Sequence, residues 1–236
     1  MISSLFHTLI SEPFYNGLIL LIKLLPFFDA GVIVIIFTVI IKLILLPLSI
    51  KASRAQLQMK GIEKDLNLIK ERYKDNKEEQ SRKTIEYYRE KGINPFASFF
   101  ILIIQLPIII GLYGVFLKSG LPVINQELLY SFIPTPHSVN MMFFGLINIA
   151  DKSVILAIIA GITTYFQISL ASGSTQGGDI AKAMQTQMKY FFPILVVFIS
   201  YSISAALALY WVTSNVFAIL QEIYIKKKYH KAVTVI

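Results

Sequence analysis

Residues Gly31–Ile50 (GVIVIIFTVIIKLILLPLSI) decide the fold of this chain. Twenty residues of helix rise about 30 Å, the thickness of the hydrocarbon core of a bilayer. The one charge in the stretch, Lys42, lies nine residues from Lys51 and hence about 14 Å inside the membrane. A cation at that depth costs on the order of 2.5–3.5 kcal/mol on insertion scales. Because the other predicted spans offer no buried acid as a partner, we expect Lys42 to face a water-filled recess.

The composition is that of an all-α polytopic membrane protein. Of the 236 residues, 55% are hydrophobic and only 15% are charged. No cysteine is present, which excludes disulfides and thiolate chemistry. In a membrane protein the net charge of +8 is interpreted first as a determinant of topology and as a ligand for anionic lipids, so we expect no DNA partner.

Residues 1–30 are predicted to form an extracytoplasmic N-terminus with an amphipathic interfacial helix. The first thirteen residues carry no Lys or Arg, so a secretory signal peptide is not expected. Ser11-Glu12-Pro13 is typical of a helix start with Ser11 as the cap. The apolar run Phe14–Phe28 would be only about 22 Å long as a helix, which favours a position in the membrane interface. A short tilted span is the alternative.

Charge parity predicts five membrane spans. Residues 51–92 hold twelve Lys or Arg, which places this segment in the cytoplasm together with the loop 172–189 and the basic tail 226–236. The loop 118–152 holds two Lys and is predicted to be extracytoplasmic. Five spans satisfy these positions with the N-terminus outside and the C-terminus in the cytoplasm. The predicted spans are residues 31–50, 94–117, 153–171, 190–204 and 207–225, with the last turn within 201–206.

The cytoplasmic segment 51–93 is predicted to be a helical hairpin. Apolar residues Ile62, Leu66, Ile69 and Tyr73 step by four, three and four, as on one face of a helix. A polar break at 75–77 precedes a second helical stretch that ends at Gly92. A solvated charged loop is the alternative, but it leaves the periodic apolar face unexplained. The stretch 172–179 (SGSTQGGD) is predicted to be a flexible loop and lacks the pattern of a phosphate-binding loop.

Polar side chains occur at matched depths in several predicted spans. Gln105 lies about 17 Å from Asn94, and Asn215 about 17 Å from Lys226, close to the depth of Lys42. Such residues normally face a bundle interior or an aqueous cavity, so we expect a hydrated groove open to the cytosol. Interhelical hydrogen bonding is the alternative, and for any single Thr or Ser it is favoured. The predicted groove residues are Thr38, Lys42, Gln105, Thr163, Gln167, Ser214, Asn215 and Gln221.

No pattern for catalysis, metal binding or cofactor binding is visible. His7, His137 and His230 are scattered without the spacing of metal ligands, and no nucleophile elbow or nucleotide motif occurs. We therefore expect neither an enzyme nor a cofactor or metal site. The protein is predicted to bind and move something rather than to make or break covalent bonds.

The chain resembles the YidC/Oxa/Alb family of membrane protein insertases from Glu12 to Lys228. The resemblance rests on a basic residue followed by Leu-Leu-Pro, a charged hairpin, an Asn-Pro pair before a Gln-Leu-Pro span, and a polar motif in the last span. The matching positions are Lys42–Pro47, Asn94-Pro95, Gln105-Leu106-Pro107, Gln167, Leu209–Asn215 and Gln221. The groove cation of the family is usually Arg, whereas this chain has Lys42, which lacks the bidentate fork of Arg.

The resemblance implies an insertase of the bacterial cytoplasmic membrane. It would move short hydrophilic segments outward through the groove while releasing hydrophobic helices into lipid. Nascent membrane proteins are the implied partners, with the Sec translocon, the ribosome and anionic lipids as further ones. The outer faces of the second and fourth spans would contact the client helix through Ile108, Leu112, Phe192 and Leu195. The alternatives are a small-solute transporter with Lys42 as an anion site and a non-catalytic membrane scaffold.

Overall fold

The computed structural model describes residues 7–94, 97–118, 121–136, 138–171 and 179–233, and these are mostly helical. The predictions made for residues 1–6, 172–178 and 234–236 lie outside these ranges. Two π-helical turns (His7–Ser11 and Gly114–Lys118) and a 3₁₀ turn (Gln126–Leu128) accompany the α-helices. The α-helices are α1 (Glu12–Leu24), α2 (Ala30–Gly61), α3 (Glu63–Arg72), α4 (Lys77–Glu90), α5 (Ala97–Tyr113), α6 (Val154–Ala171), α7 (Asp179–Ile203) and α8 (Ala205–Val233). Strands β1 (Met142–Phe143) and β2 (Ile147–Asn148) form an antiparallel hairpin.

Three helices in the described ranges are long and apolar enough to cross a membrane. They are Ala30–Met59 in α2, Val154–Ala171 in α6 and Ala205–Lys228 in α8. Shorter apolar helices cover Gln105–Phe116 and Gln187–Ile203. A mostly helical protein with three candidate membrane spans is thereby confirmed, and the count of five spans and the cytoplasmic hairpin stay predictions.

One loop joins the starts of α2 and α8. The backbone N–H of Ala30 donates to the Asn140 carbonyl at 2.7 Å, and that of Ala205 donates to the Asp151 carbonyl, also at 2.7 Å. Helix α6 starts from the same loop at Val154, and α7 ends at Ile203, one residue before Ser204. Helices α2, α6 and α8 therefore begin at the same end of the bundle, and α7 runs in the opposite direction.

The core forms where α8 packs between α2 and α6. Every residue from Ala205 to Trp211 at the start of α8 is buried. Ile33 and Val34 of α2, and Ala157 and Ala160 of α6, are likewise shielded from solvent. The alanines among them, at positions 157, 160, 205, 206 and 208, let helix backbones approach closely, which is how helices associate in a medium without a hydrophobic driving force.

Helix α1 buries one face against the bundle. Tyr15, Leu18 and Ile19 are at most 1% exposed, and the Phe14 ring packs edge-on against Phe37 of α2 at 5.5 Å between ring centroids. The expectation that Ser11 caps this helix is wrong. Ser11 has helical backbone angles and makes no capping hydrogen bond, because the chain enters α1 directly from a π-helical turn.

Helix α2 does not end at Ile50, where the predicted span ends, but continues to Gly61. The next two helices, α3 and α4, lie side by side, joined by a turn whose last residue, Asn76, caps α4 by accepting a hydrogen bond from Glu79 N–H. The Tyr87 hydroxyl donates to Asp65 at 2.5 Å across the pair. Partial burial, together with this hydrogen bond to Asp65, raises the pKa of Tyr87 to about 12.

Candidate functional site

Lys42 lies in the middle of α2 and is partly buried. Its Nζ donates a hydrogen bond to Oε1 of Gln105 on α5 at 3.5 Å. In the ranges that the structure describes, no carboxylate forms an ion pair with Lys42. The ammonium group is therefore solvated by an amide oxygen rather than neutralised by an acid, and it keeps further donors for other groups.

Gln105 links the cation to a buried phenol. Its amide oxygen accepts from Lys42, and its amide nitrogen donates to the hydroxyl of Tyr210 on α8. The Tyr210 hydroxyl also shares a hydrogen bond with Ser214, one turn further along α8. Three helices thus contribute to one polar chain, in which the amide satisfies both neighbours through its opposite ends.

Asn215 belongs to a second polar cluster, between α8 and α6. Its amide nitrogen lies 2.8 Å from Oγ1 of Thr164 and 3.2 Å from Oγ1 of Thr163. Both threonine hydroxyls in turn donate to the Ala160 carbonyl. Asn215 is 7% exposed, so this cluster closes on itself and joins the two helices. The cluster therefore forms interhelical hydrogen bonds between α6 and α8.

A third polar contact lies further along α2 and α8. The Gln221 amide nitrogen donates to Oγ of Ser49 at 2.7 Å, and the Ser49 hydroxyl lies 3.1 Å from the Gln221 oxygen. Thr38 is 1% exposed, and its hydroxyl donates to Val34 of its own helix at 2.6 Å. Gln167 is partly buried and makes no hydrogen bond to the other predicted groove residues.

Within the described residues, the last predicted span contains a buried acid, but this acid is not a partner of Lys42. Glu222 on α8 is 7% exposed, and it pairs with Lys226 at 3.5 Å rather than with Lys42. Lys226 also donates to the Leu170 carbonyl at the end of α6. The acid is buried because it lies one turn before a lysine on the same helix face, where each charge offsets the other.

Two of the four predicted client-contact residues do not lie on an outer face. Ile108 and Leu112 of α5 are 4% and 1% exposed and belong to the core. The exposed apolar residues on that helix include Leu106 and Ile110 instead. Phe192 and Leu195 of α7 are half-buried, Phe192 packs against the core, and their contact with a client helix stays a prediction.

Sequence reasoning missed Tyr210, Thr164 and Ser49 as partners of predicted residues. Tyr210 carried a signal, since it lies in the polar motif of the last span, one turn before Ser214. Thr164 is adjacent to a predicted residue, but only the orientation of α6 determines which of the two threonines is nearer to Asn215. Among the described residues, no group of three or more His, Asp or Glu could hold a metal ion.

An open cleft of about 820 Å³ lies beside α2 where its apolar stretch ends. Pro47 and Leu48 form part of its apolar wall, and Lys51, Arg54 and Gln58 supply polar groups. Gly92 and Asn94, which follow α4, complete the lining. The cleft therefore lies between the end of the first apolar helix and the base of the α3–α4 pair.

Most of the chain is similar in sequence to known proteins. A family model described as 60Kd inner membrane protein matches residues 22–232. The membrane protein insertase YidC of Fusobacterium nucleatum is 33% identical over 198 residues, 84% of this chain and 86% of the relative. That of Clostridium tetani is 32% identical over 202 residues, 86% of this chain and 84% of the relative. The membrane protein insertase MisCA of Bacillus subtilis is 32% identical over 202 residues, 83% of this chain and 70% of the relative.

Proposed function

This chain belongs to the 60Kd inner membrane protein family, which includes the YidC insertases, and on that premise we propose that it inserts newly made membrane proteins into a bacterial inner membrane. The observation that carries the proposal is a partly buried lysine in a helix long enough to span the membrane, held by an amide and by no described acid. Because a cation inside a membrane span is costly, such a residue marks a functional site by default.

The mechanism begins with a hydrated groove around Lys42, Gln105 and Tyr210. Polar groups from α2, α5 and α8, together with the water of the groove, lower the cost of bringing a hydrophilic segment partway into the membrane, since polar groups of the segment can form hydrogen bonds there. The hydrophobic helix that follows the segment has no such need and leaves sideways into lipid.

Lys42 selects and draws in segments that carry Asp or Glu. At about 4 Å and an effective dielectric near 20, attraction between unit charges is on the order of 4 kcal/mol before desolvation. The cost of desolvating both charges reduces this attraction, so the segment is assisted into the groove without being trapped. Gln105 positions the amine for this role, since its oxygen is the described partner of Nζ.

The remaining predicted groove residues divide between two tasks. Thr163, Asn215 and Thr164 hold α6 against α8, and Ser49 with Gln221 holds α2 against α8. These contacts support the walls of the groove. Thr38, Gln167 and Ser214 belong to the groove walls at different depths. Client helices pass along the exposed parts of α5 and α7, near Phe192 and Leu195.

The proposed topology has five spans with the N-terminus outside and the C-terminus in the cytoplasm. In that topology α2, α5, α6, α7 and α8 cross the membrane, α1 lies in the outer interface, and α3 with α4 forms a cytoplasmic hairpin at the mouth of the groove. The cleft at Lys51 and Arg54 is where the hairpin meets the membrane surface. The hairpin guides clients arriving from the ribosome or the Sec translocon, and the basic tail contacts anionic lipids.

Charge substitution at Lys42 tests the function. The full chain, reconstituted in vesicles, receives a client whose outward segment carries two Asp and a matched client with Asn at those positions. Lys42→Glu should abolish insertion of the acidic client, Lys42→Arg should preserve it, and Lys42→Gln should depress it with less effect on the neutral client. Full activity of Lys42→Glu on the acidic client would refute the role of the charge.

A further inference from the structure

Five large apolar side chains are exposed at the end of the bundle where α2 begins, and we call them the apolar rim. Leu24 ends α1, Phe27 and Phe28 belong to the connection between α1 and α2, and Phe27 is 95% exposed. Phe144 and Leu146 belong to the turn of the β1–β2 hairpin, and Leu146 is 81% exposed. Exposed apolar clusters of this kind mark an interaction site.

Asp29 brings the two halves of the rim together. One of its carboxylate oxygens accepts a hydrogen bond from the Val32 N–H at 2.9 Å and the other accepts from the Phe144 N–H at 3.1 Å. The carboxylate therefore caps α2 and holds the hairpin turn at the same time. Its charge is directed at backbone amides, which leaves the neighbouring surface to the apolar rings.

The hairpin is fixed to the first turn of α2. The ring of Phe143 covers Gly31 so closely that a Cβ on Gly31 would lie 2.4 Å from it. Register is set by Phe143 opposite Ile147 and Met142 opposite Asn148. The hairpin half of the rim is therefore fixed in position by its packing against α2.

Phe144 occupies a strained backbone position. Its φ is 48°, a left-handed value that Asn or Gly adopts at lower cost, and Gly145 follows at 70°. The ring of Phe144 is exposed and contacts the Phe143 ring at a tilt of 41°, with 4.5 Å between centroids, so it is not part of a buried core. A costly residue with an exposed apolar side chain is explained by what that side chain contacts outside the chain.

We propose that the apolar rim is a membrane-interface anchor whose ligand is the phospholipid bilayer. The candidate span in α2 begins at Ala30, next to Asp29, so a membrane crossed by this helix has its boundary at the rim. Aromatic and aliphatic side chains at that level enter the headgroup and upper acyl region. The rim holds the loop between α5 and α6 down on the membrane and sets the depth at which α2 enters it. The proposal requires that the chain spans a membrane and does not require insertase activity.

Site-directed spin labelling measures the depth of the rim. The chain has no cysteine, so Phe144→Cys, Leu146→Cys and Phe27→Cys each provide a unique attachment site. Glu127→Cys, in the exposed 3₁₀ turn of the same loop, is the aqueous control, and Ile162→Cys, exposed on α6, is the lipid control. The labelled full chain is reconstituted in phosphatidylcholine–phosphatidylglycerol vesicles, and power saturation compares collisions with oxygen and with a water-soluble nickel chelate.

The rim labels should collide with oxygen several-fold more, relative to the nickel chelate, than the label of Glu127→Cys, and should approach that of Ile162→Cys. A ratio equal to that of Glu127→Cys would overturn the proposal, because the rim would then face water. The proposal would also be overturned if neither oxygen nor the nickel chelate reached the labels and the spectra showed dipolar broadening. The rim would then be covered by a second copy of the chain. The label of Phe27→Cys leaves the hairpin unaltered, so it reports depth even if labelling Phe144→Cys disturbs the turn. As a further check, Phe144→Asn suits the positive φ and should shift the label of Leu146→Cys toward water.

Discussion

At the scale of single residues, the arrangement around Lys42 explains how a cation is kept in an apolar helix. Gln105 accepts from the amine and donates to Tyr210, so a neutral group offsets part of the desolvation cost without cancelling the charge. An acid in that position would neutralise the amine and end its attraction for acidic segments. Substitution of Gln105 can therefore test whether the site requires a neutral amide rather than an acid.

Gln105→Glu places a carboxylate where the amide oxygen now lies, within ion-pairing distance of Lys42. We expect insertion of clients with acidic outward segments to fall strongly, since the new charge cancels the attraction of about 4 kcal/mol estimated at an effective dielectric near 20. Gln105→Leu removes the hydrogen bonds but retains the positive charge, so it should reduce insertion less. The comparison is made with the acidic and neutral client pair in reconstituted vesicles. Equal losses in both variants would contradict a role for charge.

Asn215→Ala should lower stability rather than change client preference. The substitution removes the hydrogen bonds between α8 and the threonines of α6, each worth about 0.6–1.7 kcal/mol in membrane proteins. Unfolding in a denaturing detergent can be followed through the single tryptophan, Trp211. Val216→Ala, at the exposed neighbouring position, is the control. If Asn215→Ala kept full stability but lost the preference for acidic clients, Asn215 would belong to the groove and not to its support.

Depth along each predicted span put Lys42 and Gln105 at a similar level, and the hydrogen bond between them is seen only in the structure. Depth alone could not assign Asn215, which has a similar depth but belongs to another pair of helices. The rotation of α6 and α8 about their axes makes that difference, and the packing of the whole bundle determines it. Tyr210 was missed because an aromatic residue in an apolar run also suits the core.

At the scale of the helices, the close approach of α6 and α7 depends on Gly161. A Cβ there would lie 2.3 Å from Cγ2 of Val197 and 3.1 Å from the carbonyl oxygen of Pro193. No real contact is that short, so α6 and α7 can lie at this distance only because position 161 has no side chain.

Gly161→Ala should destabilise the protein. Overpacking costs about 1–3 kcal/mol, which exceeds the gain of about 1 kcal/mol from replacing Gly by Ala in a helix. Val197→Ala removes the clashing methyl group and should restore part of the loss in the double variant. Gly114→Ala, where a Cβ would meet only Ser11 Oγ at 3.8 Å, is the matched control. Detergent unfolding compares the unsubstituted chain with the three single variants and the double variant. Additive effects of Gly161→Ala and Val197→Ala would contradict the contact.

Helix ends differ from predicted span ends for a physical reason. The charges at Lys51 and Lys189 mark where the chain is expected to leave the membrane, but they do not stop a helix. Residues 51–60 are mostly Ala, Lys, Arg, Gln, Leu and Met, which favour helix, so α2 continues until Gly61. Helix α7 likewise begins at Asp179, before the predicted start of its span. Hydropathy predicted where apolar segments lie, and helix propensity determined how far each helix runs.

At the scale of the whole molecule, the proposed topology predicts which surfaces face each compartment. Because the chain has no cysteine, Lys77→Cys in α4 and Glu127→Cys in the loop between α5 and α6 can be labelled selectively. In intact cells a membrane-impermeant maleimide should label Glu127→Cys, and it should label Lys77→Cys only after permeabilisation. Labelling of both positions in intact cells, or of Lys77→Cys alone, would contradict five spans with the N-terminus outside.

In the proposed function, water and a positive charge lie together beside Gln105 inside the membrane. The most direct test is the rate at which an anionic methanethiosulfonate modifies Gln105→Cys, compared with Leu106→Cys, whose side chain is exposed one residue further along α5. We predict that Gln105→Cys reacts at least about tenfold faster, since each unit by which an apolar environment raises a thiol pKa removes most of the thiolate. Adding Lys42→Met should slow the reaction at Gln105→Cys and leave Leu106→Cys unchanged. Equal, slow rates at both positions, indifferent to Lys42→Met, would contradict the account.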